Sequence, residues 1–264
     1  MWLNWTVLTV SLGLGTAEPA VEEPLRLLAI GNEPQVLAAI EPGEPAGEGT
    51  ALTWPEGQEP TQRAGGVSDI ACAPGGALYG IDRERRLLLL FDASRTTVAR
   101  AVPIDLPVVQ SHRGIAVSPA GSVFVVCRGA QPELHVVDVR DGSTMRICFI
   151  SGMSRIESIA FADDGALYAS GDDSGGHHAG SIFRITIATG VAERVGAAGP
   201  QDADGIAPAP DGMIYVVDSN GAQAQLWRFD PETGESTAVG TTGLTHLGAI
   251  TIDRPIVDFR FGCG

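Results

Sequence analysis

Arg113, Glu157 and Asp204 each stand one residue ahead of a small-Ile-Ala step, Gly114-Ile115-Ala116, Ser158-Ile159-Ala160 and Gly205-Ile206-Ala207. His112 and His246 flank the same point in their own segments, and a loop from Gly171 to Gly180 adds Asp172, Asp173, His177 and His178. Four of the five histidines therefore fall where carboxylates also gather. Imidazole nitrogens suit Zn²⁺ and carboxylate oxygens suit Ca²⁺, so this mixture, Glu157 and Asp204 included, has the chemistry of a divalent cation site. The same residue types also collect on loops as solvated polar groups or as a ring of structural hydrogen bonds. Both readings stay open. His112, Arg113, Asp172, His177, His178 and His246 make up the surrounding ligand-binding face, although adjacent His177 and His178 do not readily point at one ion. No Gly-x-Ser-x-Gly elbow, P-loop, His-Glu-x-x-His or EF-hand loop is present, so no residue is assigned a catalytic role.

These residues need a scaffold, and the sequence repeats one. Residues 69–82, 114–127, 158–171 and 205–218 are copies of one phrase, and its turn glycines, Gly76, Gly121, Gly165 and Gly212, recur every 44–47 residues. A period of that length marks a radial array of small sheets. Each unit reads as four strands. An Ile-Ala strand a is followed by a glycine turn and a strand b carrying Tyr79, Phe124, Tyr168 or Tyr215. Strand c follows at 87–91, 134–139, 182–187 and 226–229, then strand d at 97–102, 144–150, 191–195 and 236–239. One four-stranded sheet cannot bury both faces, so the units must stack around an axis, with the strand b aromatic filling each gap.

Residues 24–52 look like a unit without its first strand, and residues 247–253 look like a strand a without its turn. The sequence therefore predicts an all-β propeller of five four-stranded antiparallel blades, in which the last strand completes the first blade. An incomplete six-bladed ring, using residues 256–261 as a further strand, is the second choice. In such a meander the d–a and b–c connections share one face. The d–a connections are long (53–68, 103–113, 151–157 and 196–204), and the a–b and c–d turns are short, so function belongs on the long-loop face.

Composition narrows the partners. Thirty-two acidic residues oppose 17 basic ones, all arginine, for a net charge of −15. Such a surface repels nucleic-acid backbones and anionic membranes. Residues 1–15 are mostly apolar and lead to Gly15-Thr16-Ala17, which suits signal-peptidase cleavage after Ala17. Residues 1–17 thus read as a signal peptide, 18–23 as a linker and 24–262 as one domain. Secretion or delivery to the periplasm follows, with a small molecule or an extracellular or periplasmic protein as partner and a monomer as the assembly. Cys72, Cys127, Cys148 and Cys263 allow three full pairings. Cys127 and Cys148 fall on strands b and d of one unit, too far apart for an easy disulfide, so unpaired core thiols are the expectation.

The Ile-Ala-x-x-Pro-x-Gly-x-Leu-Tyr phrase resembles the repeats of bacterial secreted β-propellers, both NHL-type repeats and the senescence-marker and gluconolactonase-like family, over residues 24–253. Asp204-Gly-Ile-Ala207 is similar to a segment of the latter family whose Asp binds metal. That resemblance implies a lactonase-like hydrolase, in which a divalent cation polarises a lactone carbonyl and a carboxylate activates water. The sequence departs from the family at Glu157-Ser158, where Asn-Gly is the pattern, and Arg113 sets a cation nearby.

Overall fold

The computed structural model describes residues 24–32, 35–47, 49–57, 66–106, 111–128, 131–175, 180–200, 202–219, 223–245 and 247–256. The signal peptide and linker expected at residues 1–23 lie outside the described residues, as do His177, His178, His246 and Cys263. The described residues form no helix and five four-stranded antiparallel sheets arranged as a five-bladed propeller.

In chain order, β1 (Leu27–Asn32), β2 (Gln35–Ile40) and β3 (Thr50–Ala51) begin the first blade. The second blade is β4 (Asp69–Cys72), β5 (Leu78–Asp82), β6 (Leu87–Phe91) and β7 (Val98–Pro103). The third is β8 (Ser111–Val117), β9 (Val123–Arg128), β10 (Glu133–Val137) and β11 (Thr144–Phe149). The fourth is β12 (Met153–Phe161), β13 (Leu167–Asp173), β14 (Ser181–Thr186) and β15 (Val191–Ala197). The fifth is β16 (Gly205–Pro208), β17 (Ile214–Asp218), β18 (Gln225–Phe229) and β19 (Ser236–Thr241). β20 (Leu247–Ile252) then returns to pair antiparallel with β1, placing Leu27 opposite Ile252 and Ile30 opposite Ala249. The last strand completes the first blade, as the sequence predicts, and five blades replace the six-bladed alternative.

Burial follows distance from the axis. β4 (Asp-Ile-Ala-Cys) and β16 (Gly-Ile-Ala-Pro) are buried along their whole length, because inner strands crowd together. β19 is largely exposed and made of Ser, Thr, Ala, Val and Gly. Between the blades lie five apolar clusters, one for each boundary, including that between the first and second blades. The strand b aromatics enter four different clusters: Tyr79, Phe124, Tyr168 and Tyr215. Phe124 meets Phe161 of the next blade with ring centroids 5.2 Å apart. Each fully buried large apolar side chain, such as Phe183 or Phe229, stabilises the ring by roughly 1.5–3 kcal/mol.

Two segments expected as loop are partly strand. β8 starts at Ser111, and β12 takes up most of residues 151–157, because register shifts at Met153/Arg155 and Ile156/Ser158 let it follow an extended β13 outward. Strand c of the third blade stops at Val137 rather than 139: Asp138 accepts the Arg140 amide at 2.9 Å and turns the chain. Among the described cysteines, Cys72, Cys127 and Cys148 are free. Burial, aided by Glu133, pushes the Cys127 thiol up to about 12, leaving it unreactive.

Candidate functional site

The first residues of the inner strands meet at the axis, and four of the five blades offer only Gly114, Ser158, Gly205 or Ala249 there. The reason is space. A Cβ on Gly114 would lie 2.9 Å from the Ile159 nitrogen, and one on Gly205 would lie 2.9 Å from the Ile250 nitrogen. The second blade alone places a long polar side chain at this level, Asp69, which is 2% exposed. Its Oδ1 accepts the Ile70 amide at 2.9 Å, and its Oδ2 accepts the Ile115 amide of the third blade at 3.0 Å. Ser158 Oγ of the fourth blade donates to the same Oδ2 at 3.5 Å. One carboxyl thus ties three consecutive blades across the axis. Burial pushes it well above the usual carboxylate range, against the pull of those hydrogen bonds, and so favours the neutral acid.

The predicted carboxylates stand on the long-loop face around this plug. Glu157 is ion-paired with Arg155, and its side chain is 9% exposed. The Arg155 Nη1 also lies 3.9 Å from Asp172 Oδ2. Burial of Arg155 works against its charge, yet Glu157, Asp202 and Asp172 together hold its guanidinium above the ordinary value. Asp204 turns instead to the loop after β17: its Oδ2 accepts the Ser219 amide at 2.9 Å and the Ser219 hydroxyl at 2.6 Å. Burial raises the Asp204 carboxyl, the Ser219 hydrogen bonds pull it back, and neighbouring Asp202 and Asp218 add to the rise.

The structure therefore joins Glu157 and Asp172 through one arginine and holds Asp204 by a serine. Among the described residues, no group of three or more His, Cys, Asp or Glu side chains is placed to hold a metal ion. His112 and Arg113 lie on β8, with His112 opposite Cys127, but their side chains, like His177, His178 and His246, lie outside the described residues. Arg155, Asp202, Ser219 and Asp69 were not singled out by sequence. Only Asp69 carried a signal, as the one acid at a position otherwise filled by Gly, Ser or Ala. Asp82, at the end of β5, accepts the Gly66 and Arg85 amides at 2.8 Å each.

On the opposite, short-turn face a cavity of about 40 Å³ lies between the inner strands, lined mainly by Ile, Ala and Pro. A single water needs roughly 10–15 Å³, so this volume is too small for a ligand of metabolite size. A larger cavity of about 1160 Å³ lies beside it, where residues 93–96, Pro210 and 253–256 meet the first blade. Arg254, following β20, pairs with Asp163 in the turn before β13. Arg95 grips the same segment, pairing with Asp253 and donating to the carbonyls of Arg254 and of Gly76, the latter at 2.8 Å. Gly76, at φ 84°, is needed here, since a Cβ would lie 2.4 Å from the Pro255 carbonyl oxygen.

A scan against protein-family models finds no match. A search of curated proteins finds none either. Solved structures do match in fold. A protein of unknown function from Bacteroides caccae is 12% identical with a TM-score of 0.55, covering 88% of this chain and 100% of that one. Virginiamycin B lyase from Staphylococcus aureus is 16% identical with a TM-score of 0.47, covering 77% of this chain and 62% of that one. Kuenenia stuttgartiensis hydrazine synthase is 17% identical with a TM-score of 0.47, covering 70% of this chain. This chain spans about half (53%) of that hydrazine synthase chain. At these identities the likeness extends to the β-propeller fold and no further.

Proposed function

We propose that this propeller is an exported binding module that takes a small molecule or a protein partner on its long-loop face, without making or breaking bonds. One observation carries the reading. The described carboxylates expected to do chemistry are already engaged, Glu157 and Asp172 by Arg155 and Asp204 by Ser219. Metal binding or base catalysis would require these pairings to be exchanged, whereas a surface of mutually oriented charges is pre-organised for recognition. The rigid ring presents the long loops as its variable surface.

The hydrolase reading rests on the resemblance at Asp204-Gly-Ile-Ala207. It requires Glu157 to exchange Arg155 for a cation. Calorimetric titration with CaCl₂ and ZnCl₂, together with a hydrolysis assay on a simple aliphatic lactone, separates the two. The binding reading expects no turnover, and expects capture of a partner or metabolite from the exported fraction to be lost in Asp172→Arg/Asp202→Arg. Lactone hydrolysis that disappears in Asp204→Ala would replace it with the enzyme.

A further inference from the structure

The outer strands differ in what they show to solvent. β3 has two residues, β7 carries Arg100 and Pro103, β15 carries Glu193 and Arg194, and β19 is small and polar. Charge, proline and brevity are the usual protection of a sheet edge. β11 has little of it. Met145 is 62% exposed, Ile147 37% and Phe149 43%. Val191, 41% exposed, joins them: it bridges Ser151, just past β11, and its neighbour Gly190 backs onto the Phe149 carbonyl. Three of the five large apolar side chains exposed among the described residues thus lie along β11 on both sides of its bulge, and Val191 lies beside its end. Arg146 stacks over the Phe149 ring at 4.2 Å, a pairing typical of contact surfaces.

We propose that β11 is where two copies of this chain pair, edge to edge and antiparallel, about a twofold axis. β11 ends its sheet, and none of the named strands pairs with its far edge. Antiparallel pairing of a strand with its own copy is self-complementary, so one apolar strand covers its equivalent. Charge selects the occupant. Two copies at −15 repel over most of their surface. Around β11, however, Arg100, Arg140 and Arg146 stand beside Asp105, Asp138, Asp141 and Glu133, so each copy offers the other both signs. Arg140 and Arg146, with side chains 85% and 51% exposed, pair with Asp138 and Glu133 of their own chain and would exchange or share these partners across the contact. A single-strand contact is small, so the dimer is expected to be weak, with Kd on the order of micromolar.

Sedimentation equilibrium of the full chain, run from the low to the high micromolar range, tests this. The expected result is a concentration-dependent doubling of mass. Met145→Glu/Phe149→Glu should weaken it by roughly ten-fold or more, with far-UV circular dichroism unchanged. Thr237→Glu/Thr241→Glu, with the same added charge on the edge of β19, should pair like the unaltered chain. Hydrogen exchange on the unaltered chain is the check that needs no variant: β11 amides should slow with concentration while β19 amides do not. A chain that stays monomeric throughout, a β11 variant that pairs as before, equal loss in the β19 variant, or β11 exchange indifferent to concentration each overturns the proposal.

Discussion

Asp69 Oδ2 accepts the Ile115 amide at 3.0 Å, so a side chain of the second blade completes the backbone hydrogen bonding of the third. Because burial raises this carboxyl in the folded state, the folded protein binds a proton the unfolded chain releases. Stability from this proton is full below the unfolded carboxylate range, about pH 4, and is lost as pH rises toward the folded titration. Each pH unit separating the two titrations is worth about 1.4 kcal/mol. Asp69→Asn removes the titration. Chemical denaturation of both proteins between pH 4 and 8 should show the unaltered chain losing ground to Asp69→Asn as pH rises. A difference that stays constant across that window would mean the carboxyl titrates normally.

The segment after β20 is held by charge. Arg95, with its side chain 11% exposed, pairs with Asp253, and Arg26 approaches the other oxygen of Asp253 at 3.3 Å. Arg95→Ala leaves Asp253 with Arg26 alone and removes the donor to the Gly76 and Arg254 carbonyls, so it should cost about 2–3 kcal/mol. Arg254→Ala frees Asp163, whose side chain is 52% exposed, and should cost about 1 kcal/mol or less. Thermal melts of the two variants give the comparison, and similar losses would show that Arg95 does not anchor the closure.

Much of this architecture is legible in the chain. The phrase around Gly76, Gly121, Gly165 and Gly212 repeats because four of the five blades use the same inner strand, the same turn and the same aromatic wedge, so blade count and ring closure follow from local pattern. The site is legible only in outline. Sequence places Glu157, Asp172 and Asp204 on one face, but their partners depend on directions that bulges alter. The shifts in β12 bring Arg155 beside both Glu157 and Asp172, and no spacing rule announces this. Ser219 reaches Asp204 only because the β16–β17 hairpin returns the chain to its own start, pairing Gly205 with Val217.

Crowding at the axis predicts a contrast between glycines. Gly205→Ala pushes a methyl against the first blade at the Ile250 nitrogen and the Ala249 Cα, 2.9 and 3.0 Å away. Backbone cannot yield as a side chain does, so a cost of about 1–3 kcal/mol is expected. Gly43→Ala, in the turn after β2, meets nothing within 4 Å and bears only the strain of φ +94°, about 1 kcal/mol. Equal denaturation midpoints for the two variants would argue that the ring is looser at its centre than these distances imply.

Arg155 is the one described cation paired with both Glu157 and Asp172, and Asp202 acts on it from the next blade. Arg155→Ala leaves those carboxylates facing one another, and like charges at close range repel. Because Arg155 is 37% exposed, solvent screens much of the effect, and a loss of about 1 kcal/mol is expected near neutral pH in physiological salt. The loss should deepen at low ionic strength, where screening weakens, and shrink as salt is added. Arg155→Lys, which keeps the charge but not the planar fork, should recover part of it. Melting temperatures over a salt series decide the matter. A loss insensitive to salt would assign Arg155 a packing role and leave the orientation of Glu157 to other groups.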